Sequence, residues 1–242
     1  MTNAKIEDSS AIRRLLLKEM KDGVFSRSKR LPRETVLAEQ FGISRTHLRD
    51  ILAQLEREGF ITRRHGVGTV INHHVLRVQN RMDIETEFLD IIRQSGYEPG
   101  VSDIRVSEEQ ADSYVAKKLR VPVGTEILRI CRVCTADGIP AIYCEDVLEK
   151  RLMKDKYEPK DLEESIFCFL KKYCGVTAYM DLTQLHAVLA KEHVAEALQI
   201  PVGTPLLNME EVDYDINGKI VFYSSEFFVD HIFEQTVLRK KL

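Results

Sequence analysis

Two arginines four residues apart, Arg45 and Arg49, follow a serine in the run Ile43-Ser44-Arg45-Thr46-His47-Leu48-Arg49. In a helix, side chains at i and i+4 share a face, so both guanidinium groups would project side by side. A guanidinium presents a planar fork of donors that matches the O6 and N7 acceptors on the major-groove edge of guanine. Ser44 is a good N-cap for such a helix. Leu48, Ile51, Leu52 and Leu55 recur at i, i+3, i+4 and i+7 on its other side, the spacing of an apolar stripe against a core. Taken singly, two arginines on a helix are more often a solvated face. The neighbouring segments decide against that reading.

Those segments supply a holder. Glu34 to Phe41 has helical spacing, with Val36, Leu37 and Phe41 on one face. Gly42 then offers the tolerance of positive φ that a sharp turn between two helices needs. Glu34 stands in the first turn, where a carboxylate favours the helix N-terminus. After Gly59, Phe60 to Thr62 and Thr69 to Ile71 read as short strands around Arg63-Arg64-His65-Gly66-Val67-Gly68. That loop is a basic, glycine-containing wing suited to phosphates or a minor groove. For His65, wing contact and loop filler remain equally open. The pattern predicts a winged helix-turn-helix whose second helix enters a major groove by its N-terminal turn.

The stretch LPRETVLAEQFGISRTHLRDILAQLEREGFITRRHGVGTVI resembles the GntR family of bacterial transcription regulators, with helix two, turn, helix three and wing in the same order and spacing. The resemblance covers about the first 72 residues. It implies a homodimer on a palindromic double-stranded DNA operator, with Arg45 and Arg49 on bases, Ser44 and Thr46 on phosphates, and His65 to Gly68 in the wing. The DNA-contacting set it points to is Arg33, Thr35, Ser44, Arg45, Thr46, His47, Arg49, Arg63, His65, Gly66 and Gly68. Two positions depart from the family run: Arg33 replaces a serine and Thr35 replaces an arginine. The second often touches DNA in the family, so the operator preference is expected to differ, with Arg33 available as a substitute phosphate contact.

Charge is segregated along the chain. Residues 1 to 74 hold 14 Lys and Arg against 9 Asp and Glu, while residues 75 to 242 hold 21 against 29. A basic head on an acidic body keeps the body off DNA and leaves phosphate contact to the head. The head is only modestly basic, so two heads at fixed spacing are needed for firm binding. At 242 residues and 44% hydrophobic content the chain is long enough for two domains. No 18-residue apolar run is present, and the first 15 residues are polar and charged, unlike a secretory signal. Five cysteines, all between Cys131 and Cys174, do not form a secreted disulfide framework; a reducing cytoplasm is the expected compartment. Cys131 and Cys134 make a C-x-x-C inside a predicted strand, where i and i+3 point to opposite faces, so buried thiols are expected rather than redox or zinc chemistry. His73 and His74 read as a solvated linker. No cofactor and no metal are expected.

Beyond the head, 75–83 reads as a linker and Ile84 to Gln94 as a helix ending at Ser95-Gly96. An internal repeat follows: ADSYVAKKLRVPVGT from Ala111 and AKEHVAEALQIPVGT from Ala190. In each copy a helix ends at Pro-Val-Gly-Thr and a strand follows, Glu126 to Thr135 or Pro205 to Tyr214. A tight turn at Asp137-Gly138 or Asn217-Gly218 then leads to a second strand, Pro140 to Leu148 or Lys219 to Val229. A further helix is expected around Leu162 to Tyr173. The fold class is α+β, with residues 1–74 as the winged head and 84–242 as an antiparallel-sheet domain with internal pseudo-twofold order.

VPVGTEILRICRVCTADGIPAIYCEDVL and IPVGTPLLNMEEVDYDINGKIVFYSSEFFVD resemble the effector-sensing UTRA domain of the HutC-like branch of the GntR family, over about residues 80 to 235. The resemblance implies a fold like chorismate lyase used as a sensor for a small-molecule effector, which changes DNA affinity by linkage. Several relatives hold phosphosugars with arginines. Here Arg132 keeps one such position, Cys134 replaces a second, and Ser225 stands where Tyr-Ser-Arg is frequent, which lowers the expectation of a phosphorylated effector. Effector contacts are expected from Arg81, Arg132, Tyr143, Glu145, Tyr223 and Ser225. The chain carries no Gly-rich phosphate loop, H-E-x-x-H or G-x-S-x-G, so an enzyme on the lyase-like fold is the weaker alternative, and sensing of a protein partner is another. The expected role is a repressor of a catabolic or transport operon.

Overall fold

The computed structural model describes residues 2–230 and 232–241, and the chain divides into two units. One runs through Glu85 and regains the chain from Gln235 on; the other is Thr86–Glu234. In the first, helix α1 spans Thr2–Lys21 and buries Ile12, Leu16 and Met20, residues spaced by four that form one stripe. Helices α2 (Glu34–Gln40) and α3 (Arg45–Arg57) follow, separated by Gly42 at φ +64°. Leu37, Leu48, Leu52 and Leu55 are fully buried and pack with Leu16, Met20 and Ile61 in one core. Each such leucine contributes about 1.5–3 kcal/mol of burial. Val36, expected on the inner face of α2, is half exposed; Leu37, Ala38 and Phe41 supply that face instead. Strands β1 (Ile61–Arg64) and β2 (Gly68–Ile71) pair antiparallel from Ile61↔Ile71 to Arg64↔Gly68, with Leu31 donating its N–H to Thr69 O beside them.

The expected linker over 75–83 is ordered structure. Helix α4 (His73–Leu76) buries Val75 and Leu76, and Leu76 joins the head's core. His73 is half buried with its ring 2.8 Å from Ser28 O, so it is not a solvated linker residue. Asn80–Arg81 form strand β3, both side chains buried.

In the second unit, helix α5 covers Phe88–Gln94. It begins four residues later than the periodicity predicted, because Ile84 to Glu87 are not helical. Strand β4 (Pro99–Gln110), helix α6 (Ser113–Leu119) and strands β5 (Glu126–Ala136) and β6 (Ile139–Glu149) make the first repeat. Helix α7 (Ile166–Phe169) continues through Leu170–Cys174 in wider, π-type turns. The second repeat is strand β7 (Met180–Leu189), helix α8 (Glu192–Leu198), and strands β8 (Pro205–Tyr214) and β9 (Ile220–Phe228). Among the described residues the six strands form one antiparallel sheet in the order β4-β5-β6-β9-β8-β7. The two copies meet at β6 and β9, where Glu145 pairs with Ser225. Repeat geometry is kept bond for bond: Gly124 N donates to Ala111 O and Gly203 N to Ala190 O, each 2.8 Å. Each helix ends on a left-handed non-glycine residue, Arg120 or Gln199, both at φ 55°. After the sheet, strand β10 (Gln235–Thr236) returns to pair in parallel with β3. The tail therefore belongs with the first unit rather than with the sheet domain, to which 84–242 had been assigned as a whole.

Candidate functional site

Ser44 caps α3: its hydroxyl accepts from the His47 N–H at 3.1 Å. The cap frees the next turn to stand out, and Arg45, Thr46 and Arg49 are all exposed while the opposite side of the helix is core. Arg49 donates through Nε to Glu34 Oε2 at 2.6 Å, yet its side chain stays 57% exposed. Glu34 thus joins the start of α2 to the first turns of α3, and Arg33 and Thr35, both exposed, flank it. An exposed pair adds little stability; its effect is to limit where the Arg49 fork can point. His47 departs from this set, because its ring lies 2.7 Å from the Ser9 hydroxyl on α1. In the wing, Arg63, His65, Gly66 and Gly68 are exposed. Gly66 turns the loop at φ +73°, with open space where a Cβ would sit. Arg63 donates its backbone N–H and Nε to Glu56 at 2.6 and 2.7 Å, tying the wing to the last turns of α3.

The sheet of the second unit has two unlike faces. On one, α6 and α8 pack over Ile127, Val133, Tyr143, Val147, Leu206 and Tyr223. Between them opens a cleft of about 450 Å³ lined in part by Arg129, Glu145, His193, Asn208, Tyr223 and Ser225. Tyr143 adjoins it, donating its hydroxyl to Glu145 at 3.1 Å. Its polar groups are paired: Lys118 donates to Glu210 at 2.6 Å, and the Tyr114 hydroxyl donates to the other Glu210 oxygen. Burial works against the Glu210 charge, but the bonds from Lys118 and Tyr114 outweigh it and hold the carboxyl below its usual range. The structure thus brings Tyr143, Glu145, Tyr223 and Ser225 together, as the alternation along their strands predicts.

Arg132 points to the other face. Its Nη2 donates to Asp146 at 2.9 Å and its Nη1 to Glu164 O at 2.8 Å, with both charged side chains almost wholly buried. By strand register Cys144, Ser224, Glu226 and Glu211 share this face. Phe88 of α5 packs edge-on against Phe228 at one end of it, and Phe167 of α7 against Phe222 at the other. Nε of Arg132 and Oε2 of Glu226 are buried without a hydrogen-bond partner. Burial drives the Glu226 carboxyl well above its ordinary pKa, reinforced by the neighbouring Glu211 charge. Glu211 is pushed up to about 7, again chiefly by burial, although Thr183 donates to it. Asp146 is raised by burial against the pull of Arg132.

Arg81 belongs to the other unit. It lies in the first unit, where its guanidinium is 5.1 Å from the Phe60 ring centroid, donates to Glu58 O, and pairs with Asp83. All three of these partners lie in that same unit. Of the thiols, Cys131 is half buried on the helix-covered face and Cys134 is buried on the other, as strand alternation requires. All five cysteines are free, and among the described residues no group of three His, Cys, Asp or Glu side chains is placed to hold a metal ion.

Residues 8–71 match the family model for bacterial regulatory proteins of the gntR family, and residues 94–234 match that of the UTRA domain. The chain is a GntR-family transcription regulator with a UTRA domain. It is similar to a probable fructoselysine utilization operon transcriptional repressor of Escherichia coli, 23% identical over 90% of this chain and 88% of that protein. It is also similar to the HTH-type transcriptional repressor NagR of Bacillus subtilis, 27% identical over 83% of this chain and 81% of the relative. Among solved structures, the possible regulator YydK of B. subtilis shares the fold with a TM-score of 0.77 at 19% identity, covering 96% of this chain and 99% of that one. PhnF of Mycobacterium smegmatis does so at 0.59 and 21%, covering 96% and 98%. Members of this family are DNA-binding regulators rather than enzymes, and the UTRA domain is their effector-binding part.

For this GntR regulator, sequence reasoning missed three residues of these candidate sites. Glu34 was read only as a helix-start carboxylate, yet it also holds Arg49. Glu226 and Glu211 went unremarked on the Arg132 face, although period-two alternation from Arg132 across the paired strands would have found them. No helix of the described residues is long and apolar enough to cross a membrane.

Proposed function

We propose that this regulator is a cytoplasmic homodimeric repressor of a catabolic operon that reads DNA bases with Arg45 and Arg49. Ser44, Thr46, Arg33, Thr35 and Arg63 take phosphates, and His65 to Gly68 carry the wing into the adjacent groove. The observation that carries this reading is the exposed first turn of a capped helix, with one arginine aimed by Glu34. Relatives named as repressors, one of a fructoselysine utilization operon, support the sign of regulation. His47 is engaged by Ser9 and serves as a brace between α1 and α3 rather than as a contact.

The effector binds on the Arg132 face of the sheet. Buried polar groups are almost always hydrogen-bonded, so a spare guanidinium N–H and a spare carboxyl oxygen on one buried face support this placement. A second reading, the cleft between α6 and α8 with Tyr143, Glu145, Tyr223 and Ser225, is favoured by its open volume. Homodimerisation is supported by the long outer strands β4 and β7, which expose Val106, Leu182, Leu185 and Leu189.

The test is operator selection from random DNA followed by anisotropy titration. Arg45→Ala with Arg49→Ala should cost about 1–3 kcal/mol for each lost bidentate contact and erase preference for the selected site. Full operator preference in the double variant would remove α3 from the groove.

A further inference from the structure

The Arg132 face holds more acidic than basic groups. Asp146, Glu211, Asp213 and Glu226 are all buried, at 2, 7, 3 and 2% exposure, against one buried guanidinium at 4%. Asp146 has Arg132 as its partner. Strand register sets Glu226 opposite Cys144 on one side and Met209 on the other, with Ser224 opposite Asp146 and Glu211. Glu211 and Glu226 are thus diagonal neighbours with no basic side chain opposite either of them in the register. A buried carboxyl keeps its proton unless a cation answers it, and a cation entering beside it favours the charged form. A metal ion does not fit, because among the described residues no three acidic, thiol or imidazole groups converge to hold one. Independently of the carboxyls, Arg132 Nε is buried and unpartnered beside the Asp146 that its own Nη2 holds, so the face offers a free donor as well. Cys134 and Cys144 add no positive charge to satisfy a phosphate, and the Cys134 thiol beside it, together with burial, keeps Cys144 protonated.

Given that the effector occupies this face, we propose that it is an organic cation bearing a primary ammonium and hydroxyl groups, with the ammonium between Glu226 and Glu211 and hydroxyl oxygen accepting from Arg132 Nε. An ammonium carries three donors and no acceptor, the complement of the unused Glu226 oxygen and the neighbouring Glu211 carboxyl. Specificity of this kind is steep, since an analogue lacking the ammonium leaves buried acceptors unpaired. A phosphate is excluded by the same arithmetic, because one guanidinium already committed to Asp146 does not offset a dianion beside two carboxyl groups.

The experiment is thermal unfolding of the full-length protein with six probes: ethanolamine, glucosamine, ethylene glycol, glucose, inorganic phosphate and glucose 6-phosphate. Wild type is compared with Glu226→Gln, whose own midpoint without probe reports that it folds. The two amines should raise the wild-type midpoint by about 3–6 °C at ten times their dissociation constant. They should leave Glu226→Gln unmoved, and the neutral and phosphorylated probes should do nothing to either protein. Equal shifts in both proteins would overturn the proposal. Stabilisation by phosphate or glucose 6-phosphate would overturn the cation class yet keep the effector site on this face, provided that Arg132→Ala abolishes it. Six blanks with wild type would overturn both the cation class and the placement of the effector here.

Discussion

Glu211 is a carboxyl whose environment sets a measurable pH response. Burial holds it at about 7 in the folded chain, with Asp181 and Asp146 adding to the shift, against roughly 4.3 in an unfolded chain. Because the folded value is the higher one, its favourable contribution is fully present below the unfolded value, where both states carry the proton. Between the two values only the folded state keeps the proton, so stability declines as pH rises and the loss is complete above about 7. The span corresponds to a loss on the order of 3–4 kcal/mol. Glu211→Gln keeps an acceptor for the Thr183 hydroxyl, which now donates to the carboxyl at 2.8 Å, and removes the titration. Midpoints measured from pH 5 to 8 should therefore fall less steeply in the variant, which gains most at pH 8. Parallel curves for variant and wild type would show that Glu211 titrates alike folded and unfolded. Glu226 and Asp146 are raised by the same burial, so some slope will persist.

At the scale of elements, the repeat explains both what was legible in the sequence and what was not. Helices α6 and α8 and the strands after them were readable because apolar alternation, the Pro-Val-Gly-Thr turn and the Asp137-Gly138 and Asn217-Gly218 hairpins coincide. Helix α3 was readable for the same reason, from cap, stripe and turn together. Strands β4 and β7 were not, because they are the sheet's outer strands and stay exposed along most of their length. Without a buried face, the period-two signal has nothing to select it. Helix α1 escaped because its stripe of Ile12, Leu16 and Met20 lies in a charged stretch. The Arg132 face was half legible: the arginine stood out by resemblance, but its carboxyl partners emerge only once strand order is known. The matched helix ends give a test of the repeat itself. Arg120 and Gln199 both hold φ 55°, a conformation that costs a side-chain-bearing residue about 1–2 kcal/mol. Glycine removes that cost but loses about 0.5–1 kcal/mol to chain entropy. Arg120→Gly and Gln199→Gly should each stabilise by about 0.5–1 kcal/mol, to the same extent, and add in the double variant because the sites are independent. Chemical denaturation measures this, and opposite signs at the two positions would break the equivalence.

The whole molecule must reconcile a modestly basic head with a site that distinguishes one DNA sequence from many. A single head offers few phosphate contacts, and the affinity gained by linking two heads comes from effective concentration rather than new contacts. The sheet domain has the means to link them. Both of its outer strands are long, at 12 and 10 residues, and neither has a further strand beside it among the described residues. Such edges are a hazard in a monomer unless something covers them. Leu182, Leu185 and Leu189 are 64, 48 and 64% exposed along β7, more apolar surface than a free edge ordinarily keeps. A second copy turned by a twofold axis can set its β7 antiparallel beside this β7, an isologous contact that covers the edge carrying the exposed leucines. Leu185 and Leu189, four residues apart on one side of β7, are the positions to charge. Leu185→Lys with Leu189→Lys should leave the fold intact, since both side chains already face solvent in the single chain. Light scattering should then report the monomer mass where wild type gives twice that, and operator affinity should fall at least tenfold while the single-head affinity for random DNA is kept. A variant that stays dimeric would move the interface off this edge, and a monomer with undiminished operator affinity would mean that one head suffices.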